Sequence, residues 1–167
     1  MTLQHPPMRV LQALIAKWRQ ADVRPHPPAD AKQVRDAFAA AGGIATRDLV
    51  RLYGAIGGMD MVEDNGWMLW PLDQVSAGEA RSNEFGTVFS DYLIACWLFR
   101  ARPVSQDVSE IYADFCDGTE PTLVAASLDA FLDALAFQPM SVLEPRADAS
   151  VQRGGTVVTL RGINDDH

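Results

Sequence analysis

The stretch Gly66-Trp67-Met68-Leu69-Trp70-Pro71-Leu72-Asp73 holds two of the chain's four tryptophans and separates a helical first half from a strand-rich second half. Side chains alternate across a strand, so Trp67 and Leu69 share one side and Met68 and Trp70 the other. Apolar groups on both sides predict a strand covered on both faces. Pro71 cannot donate to a ladder and ends the strand, and Asp73 follows in a turn or short helical start. Tryptophan buries large areas, so the stretch reads first as core.

Upstream, Leu11, Leu14, Ile15 and Trp18 repeat at helical spacing and predict a first helix over Met8–Ala21. Arg24-Pro25-His26-Pro27-Pro28 interrupts it as a stiff surface connection. Asp30 is placed to cap a second helix to about Ala41, with Val34, Ala37, Phe38 and Ala41 as its stripe and Gly42-Gly43 at its end. Thr46 is the expected N-cap of a third helix carrying Leu49, Leu52, Tyr53 and Ile56, closed by Gly57-Gly58. Neither glycine pair is followed by the Gly-Lys-Ser/Thr of a phosphate loop. Met59–Val62 suits a short strand, and Asp60, Glu63, Asp64 and Asn65 an exposed hairpin turn without the carboxylate spacing of a calcium loop.

Downstream, Ser76–Glu84 reads as a loop. Tyr92–Phe99 is a continuous apolar run, expected as a central strand buried on both faces, with a buried helix as the alternative that period alone leaves open, and with a bend or bulge at Ser90-Asp91. Arg102–Asp107 reads as a loop. Ile111, Ala113 and Phe115 alternate with Tyr112, Asp114 and Cys116, a strand with one wetter face. Asp117-Gly118 signals a hairpin, and Thr122–Ala125 is its returning strand. Ser127 caps a last helix with Leu128, Phe131, Leu132 and Leu135 inward and Pro139 as its stop. The expected organisation is one domain over residues 1–139 and a C-terminal tail over 140–167, expected either to add a strand at Thr156–Leu160 or to be mobile.

The 167 residues suffice for one core, and 48% hydrophobic with 22% charged content is globular. No apolar run reaches the ~20 residues that span a bilayer, and the N-terminus lacks a signal-peptide layout, so a cytoplasmic location without membrane contact is expected. Cys96 and Cys116 are expected to be reduced there. The formal charge of −8 argues against nucleic acid as a partner. That charge is unevenly placed. Residues 1–58 hold eight basic and four acidic residues, whereas 59–148 hold four basic and sixteen acidic ones. An acidic field of this kind steers a basic partner.

Catalytic chemistry finds little support in the residue pattern. His5, His26 and His167 lie in the termini or the proline-rich connection. There is no Gly-x-Ser-x-Gly elbow and no His-Glu-x-x-His helix. No catalytic, cofactor-binding or metal-ligating residue is expected, and the chain reads as a non-enzyme.

Three segments together resemble the SUKH superfamily, which takes in the fungal Smi/Knr cell-wall regulators and many bacterial immunity proteins. Asp48-Leu49-Val50-Arg51-Leu52-Tyr53 running to Ile56-Gly57-Gly58 is similar to the family helix that ends in an Asn/Gly-Gly turn, with Ile56 in place of Asn. Leu69-Trp70-Pro71-Leu72-Asp73 resembles its strand leading into a Pro-Leu-acid turn. Val88-Phe89-Ser90-Asp91-Tyr92-Leu93, followed by Val124-Ala125-Ala126-Ser127-Leu128-Asp129-Ala130-Phe131-Leu132, resembles its Phe-Ala-Asp strand and the Ala-x-Ser cap of its last helix. The match runs from about Pro27 to Leu135. It implies an α+β fold, a twisted, mostly antiparallel sheet with helices packed against it. It also implies a non-catalytic protein-binding role. That role is neutralisation of a polymorphic or contact-delivered toxin, such as a basic nuclease, or regulation and scaffolding of the Smi/Knr type. An unrecognised hydrolase is a third reading.

The resemblance fixes no contact residues. From charge and predicted exposure, the candidates for partner binding are Asp60, Glu63, Asp64, Asp107, Glu110 and Asp114. Trp67 and Trp70 join them as anchors if the sheet leaves one face open.

Overall fold

A computed structural model describes residues 9–77 and 81–145. The expected strand at Thr156–Leu160 lies outside them. The elements are α1 (Arg9–Gln20), α2 (Ala31–Ala40), α3 (Arg47–Ala55), β1 (Trp67–Leu69), α4 (Leu72–Ala77), β2 (Thr87–Tyr92), β3 (Trp97–Pro103), β4 (Ser109–Asp114), β5 (Thr122–Ala125), α5 (Leu128–Phe137) and α6 (Pro139–Leu143). The strands form one antiparallel meander in the order β1-β2-β3-β4-β5, with helices packed against it, so the fold is α+β.

Burial of one sheet face under α5 organises the core. Phe131 of α5 lies 5.2 Å from Phe99, 6.0 Å from Trp67 and 6.1 Å from Phe89, measured between ring centroids. Trp18 of α1 stacks at a tilt against Trp67 at 5.6 Å. Trp67 and Leu69 point into this layer with 0% exposure, as the alternation along β1 requires. Trp70 turns to the other face, where its indole N–H donates to Asp91 Oδ2 at 2.7 Å. Regular strand pairing ends at Leu69, yet the Trp70 amide still reaches the Phe89 carbonyl at 2.9 Å before Pro71 stops the ladder.

The two glycine pairs do different work. Gly42, at φ +87°, follows the C-cap of α2 as expected. Gly57-Gly58 lies one residue further from its helix, because Ile56 already leaves α3 in extended conformation. A Cβ on Gly57 would sit 2.1 Å from the Pro27 carbonyl oxygen. These glycines let the proline-rich connection and Pro71 close on the end of α3. The connection is pinned there by His26 N–H to Gly58 O at 2.8 Å and Gly57 N–H to His26 O at 3.1 Å.

Several elements differ from expectation. Tyr92–Phe99 is not one strand but the β2–β3 hairpin, with its turn at Leu93–Cys96. Leu93, Ile94 and Ala95 all take left-handed backbone, at φ +49°, +55° and +63°, which no Gly or Asn in the sequence announces. The irregularity expected at Ser90-Asp91 falls between Val88 and Ser90. Met59 makes only an isolated bridge to Pro25, so Met59–Val62 is not a strand. Ser76 belongs to α4 rather than to a loop. Pro139 does end α5, but it then opens α6, since proline suits the first turn of a helix. Val142 and Leu143 enter the core, so packing continues past residue 139.

Candidate functional site

Antiparallel alternation sorts the loops onto two ends of the sheet. Loop 60–66, the β2–β3 turn and the β4–β5 turn gather at one, because Trp67 pairs with Tyr92 and Leu98 with Asp114. The β3–β4 turn, residues 104–108, lies at the other, beside the N-terminus of α3.

At the α3 end, charge is held inside the fold. The first amides of α3 donate to the turn, Arg47 N–H to Gln106 O at 3.0 Å and Asp48 N–H to Asp107 O at 3.1 Å. Thr46 occupies the N-cap position without a side-chain cap, since its hydroxyl bonds Asp48 and Ser109. The Asp48 carboxylate accepts from Leu49 N–H at 2.8 Å and Ser109 N–H at 3.0 Å, tying α3 to β4. Burial pushes its carboxyl up from the ordinary value, against the hydrogen bonds it accepts. Among the partner-binding candidates, Asp107 stands here, 3.3 Å from the Arg47 guanidinium.

Glu110 and Asp114 lie on the sheet face away from α5. Asp114 accepts from Arg100 Nε at 2.8 Å, and both side chains are largely buried. Arg100 also donates to the carbonyls of Arg81 and Gly86. Glu110 is 2.7 Å from Arg102 Nη2 and accepts from the Tyr112 hydroxyl at 3.0 Å. Arg102 in turn sits 5.2 Å from the centre of the Tyr112 ring, which meets Phe85 edge-on. These carboxylates hold β3 to β4, which leaves them little freedom to meet a partner.

The remaining candidates belong to the hairpin end. Glu63 is buried, and its carboxylate accepts from Asn65 N–H at 2.7 Å and Trp67 N–H at 3.1 Å, shaping the entry to β1. It is therefore part of the frame, not an exposed turn residue. Trp67 is sealed beneath α1 and α5, and Trp70 is 7% exposed, so the open face that would make them anchors is absent at both. Asp60 is exposed and bonds His26 Nε2 at 2.6 Å, and Asp64 faces solvent. Sequence reasoning missed Leu93 and Ile94, which stand 48% and 83% exposed at the tip of the β2–β3 hairpin. A signal was present. Phe85–Arg100 is far longer than the ~6 residues of an ordinary strand, so it must turn somewhere.

A cleft of about 630 Å³ lies between the proline-rich connection, α2 and α4. Its polar groups are engaged elsewhere, Asp36 with Lys32 at 2.7 Å, His26 with Asp60, and Gln33 in the cap of α2. Among the described residues, no cluster of three or more His, Cys, Asp or Glu side chains could hold a metal ion. No described helix is long and apolar enough to cross a membrane. No protein-family model and no curated protein matches the chain.

Proposed function

We propose that this protein is a non-catalytic binding domain that captures a basic protein, in the manner of a bacterial immunity protein neutralising a polymorphic or contact-delivered toxin. The observation that carries this reading is the segregation of charge, sixteen acidic against four basic residues over 59–148. The loops of the hairpin end fall within that segment, and Asp60 and Asp64 are exposed there. The collinear motifs that resemble the SUKH superfamily add to it. Electrostatic complementarity of this kind acts mainly on the association rate and weakens with salt.

The test is affinity purification of the protein from its producing cell with identification of what it retains. The recombinant pair is then titrated at low and high salt. A basic partner whose activity falls in proportion to bound protein, through a salt-sensitive complex, is the expected result. A partner bound equally at all salt concentrations with its activity intact favours the regulatory or scaffold role instead. Turnover of generic ester, phosphoester or glycoside substrates by the purified protein would remove both.

A further inference from the structure

Within that reading, we infer that the contact surface is the hairpin end of the sheet. There Leu93 and Ile94 form an apolar plug, set in an acidic rim, for a basic protein with an apolar recess. The inference rests on the proposed function and goes beyond it by assigning the surface.

Two independent observations carry it. The first is the turn itself. Three successive non-glycine residues hold left-handed backbone, which is costly for any side chain and most so for β-branched Ile94. Glycine at these positions would hold the same turn without that cost. The strained conformation instead presents Ile94 to water at 83% exposure. The turn is held firmly. Leu93 N–H donates to Gly66 O at 2.8 Å, Cys96 N–H to Tyr92 O at 3.0 Å, and the Ala95 amide faces the Asp91 carboxylate. Gly66, at φ +90°, keeps room for the Leu93 side chain, which a Cβ there would meet at 2.7 Å. A rigid, exposed apolar anchor is what a binding hot spot requires.

The second is the charge around the plug. Asp60 and Asp64 on loop 60–66, and Asp117 and Glu120 on the β4–β5 turn, are exposed at this same end. Arg24 borders the rim, where its carbonyl accepts from Asp60 N–H at 3.2 Å, and Asp22 stands 3.9 Å from its guanidinium. Like charge disfavours a second copy of this chain as the occupant and equally an anionic lipid surface. The complementary surface is a recess lined by apolar side chains and bordered by Lys and Arg.

A photoreactive benzoylphenylalanine placed at position 94, 104 or 137 of the full chain, in the producing cell, tests this. All three positions are exposed and apolar, and Val104 is at the opposite end of the sheet. The expected result is one basic protein joined from position 94 and not from 104 or 137. Its yield should fall about tenfold when Asp60→Lys and Asp64→Lys are combined, with the melting temperature unchanged. Adducts from 104 or 137 without one from 94 overturn this surface and leave the proposed function standing. Adducts from 94 to a second copy or to lipid overturn the occupant. No protein adduct from any position overturns the proposed function as well. With the partner in hand, Ile94→Ser should weaken the complex at least about tenfold without lowering the melting temperature, and unchanged affinity would sink the plug.

Discussion

The two ends of the sheet treat carboxylates in opposite ways. At the α3 end, Asp48 is buried and accepts from the amides of Leu49 and Ser109, while Asp107 meets Arg47. At the hairpin end, Glu63 and Asp114 turn inward among the predicted contact acids, whereas Asp60 and Asp64 face water. A carboxylate that satisfies buried amides is part of the framework. One that faces water with neither a buried amide nor a guanidinium against it is available to a partner. Sign and number of charges do not distinguish the two, whereas hydrogen-bond partners do.

Asp48→Ala tests the contrast most severely. It leaves the Ser109 and Leu49 amides without their acceptor, and a loss of about 3 kcal/mol in urea unfolding is expected. A loss near zero would place Asp48 with the free carboxylates. Glu63→Ala probes one exception at the hairpin end, with about 2 kcal/mol expected from the orphaned Asn65 and Trp67 amides. Ile94→Gly should act the other way and raise stability by about 1 kcal/mol, because glycine adopts φ +55° without a Cβ clash. A destabilised Ile94→Gly protein would mean that the tip contributes packing rather than strain.

A pH series sharpens the comparison further. Burial pushes the Asp91 carboxyl up, with the Trp70 and Ala95 hydrogen bonds opposing it. A group whose folded-state pKa is raised contributes stability that is complete below its unfolded pKa and is lost as pH rises through the folded one. The wild type should therefore gain on Asp91→Asn as pH falls from neutral into the carboxylate range, read from urea midpoints. A gap independent of pH contradicts the assignment. The smallest effect is expected for Asp64→Ala, within about 0.5 kcal/mol in the same assay.

Much of this fold was legible in the chain. The stripes of Leu11-Leu14-Ile15-Trp18, Val34-Phe38, Leu49-Leu52-Tyr53 and Leu128-Phe131-Leu132-Leu135 are buried as their spacing required. The alternation at Trp67–Trp70 and at Ile111–Cys116 assigned faces correctly. The Asp30 and Ser127 caps accept from Gln33 and Ala130 as N-caps do. The site was less legible. Of the eight proposed contact residues, Glu63, Trp67 and Trp70 are buried, and Asp107, Glu110 and Asp114 are engaged with arginines. Their partners lie across the sheet or under a helix, and no local pattern names them.

The sequence by itself determined where the four longest helices and most strands form, which faces are apolar, and that the second half is acidic, because each of these follows from the order and type of neighbouring residues. Only the tertiary structure decided that Tyr92–Phe99 folds back on itself, and which acids are held and which are free. Left-handed backbone at Leu93-Ile94-Ala95 is intrinsically unfavourable and persists through contacts to Gly66, Tyr92 and Asp91. A carboxylate's role likewise depends on which amides and guanidinium groups the sheet brings against it.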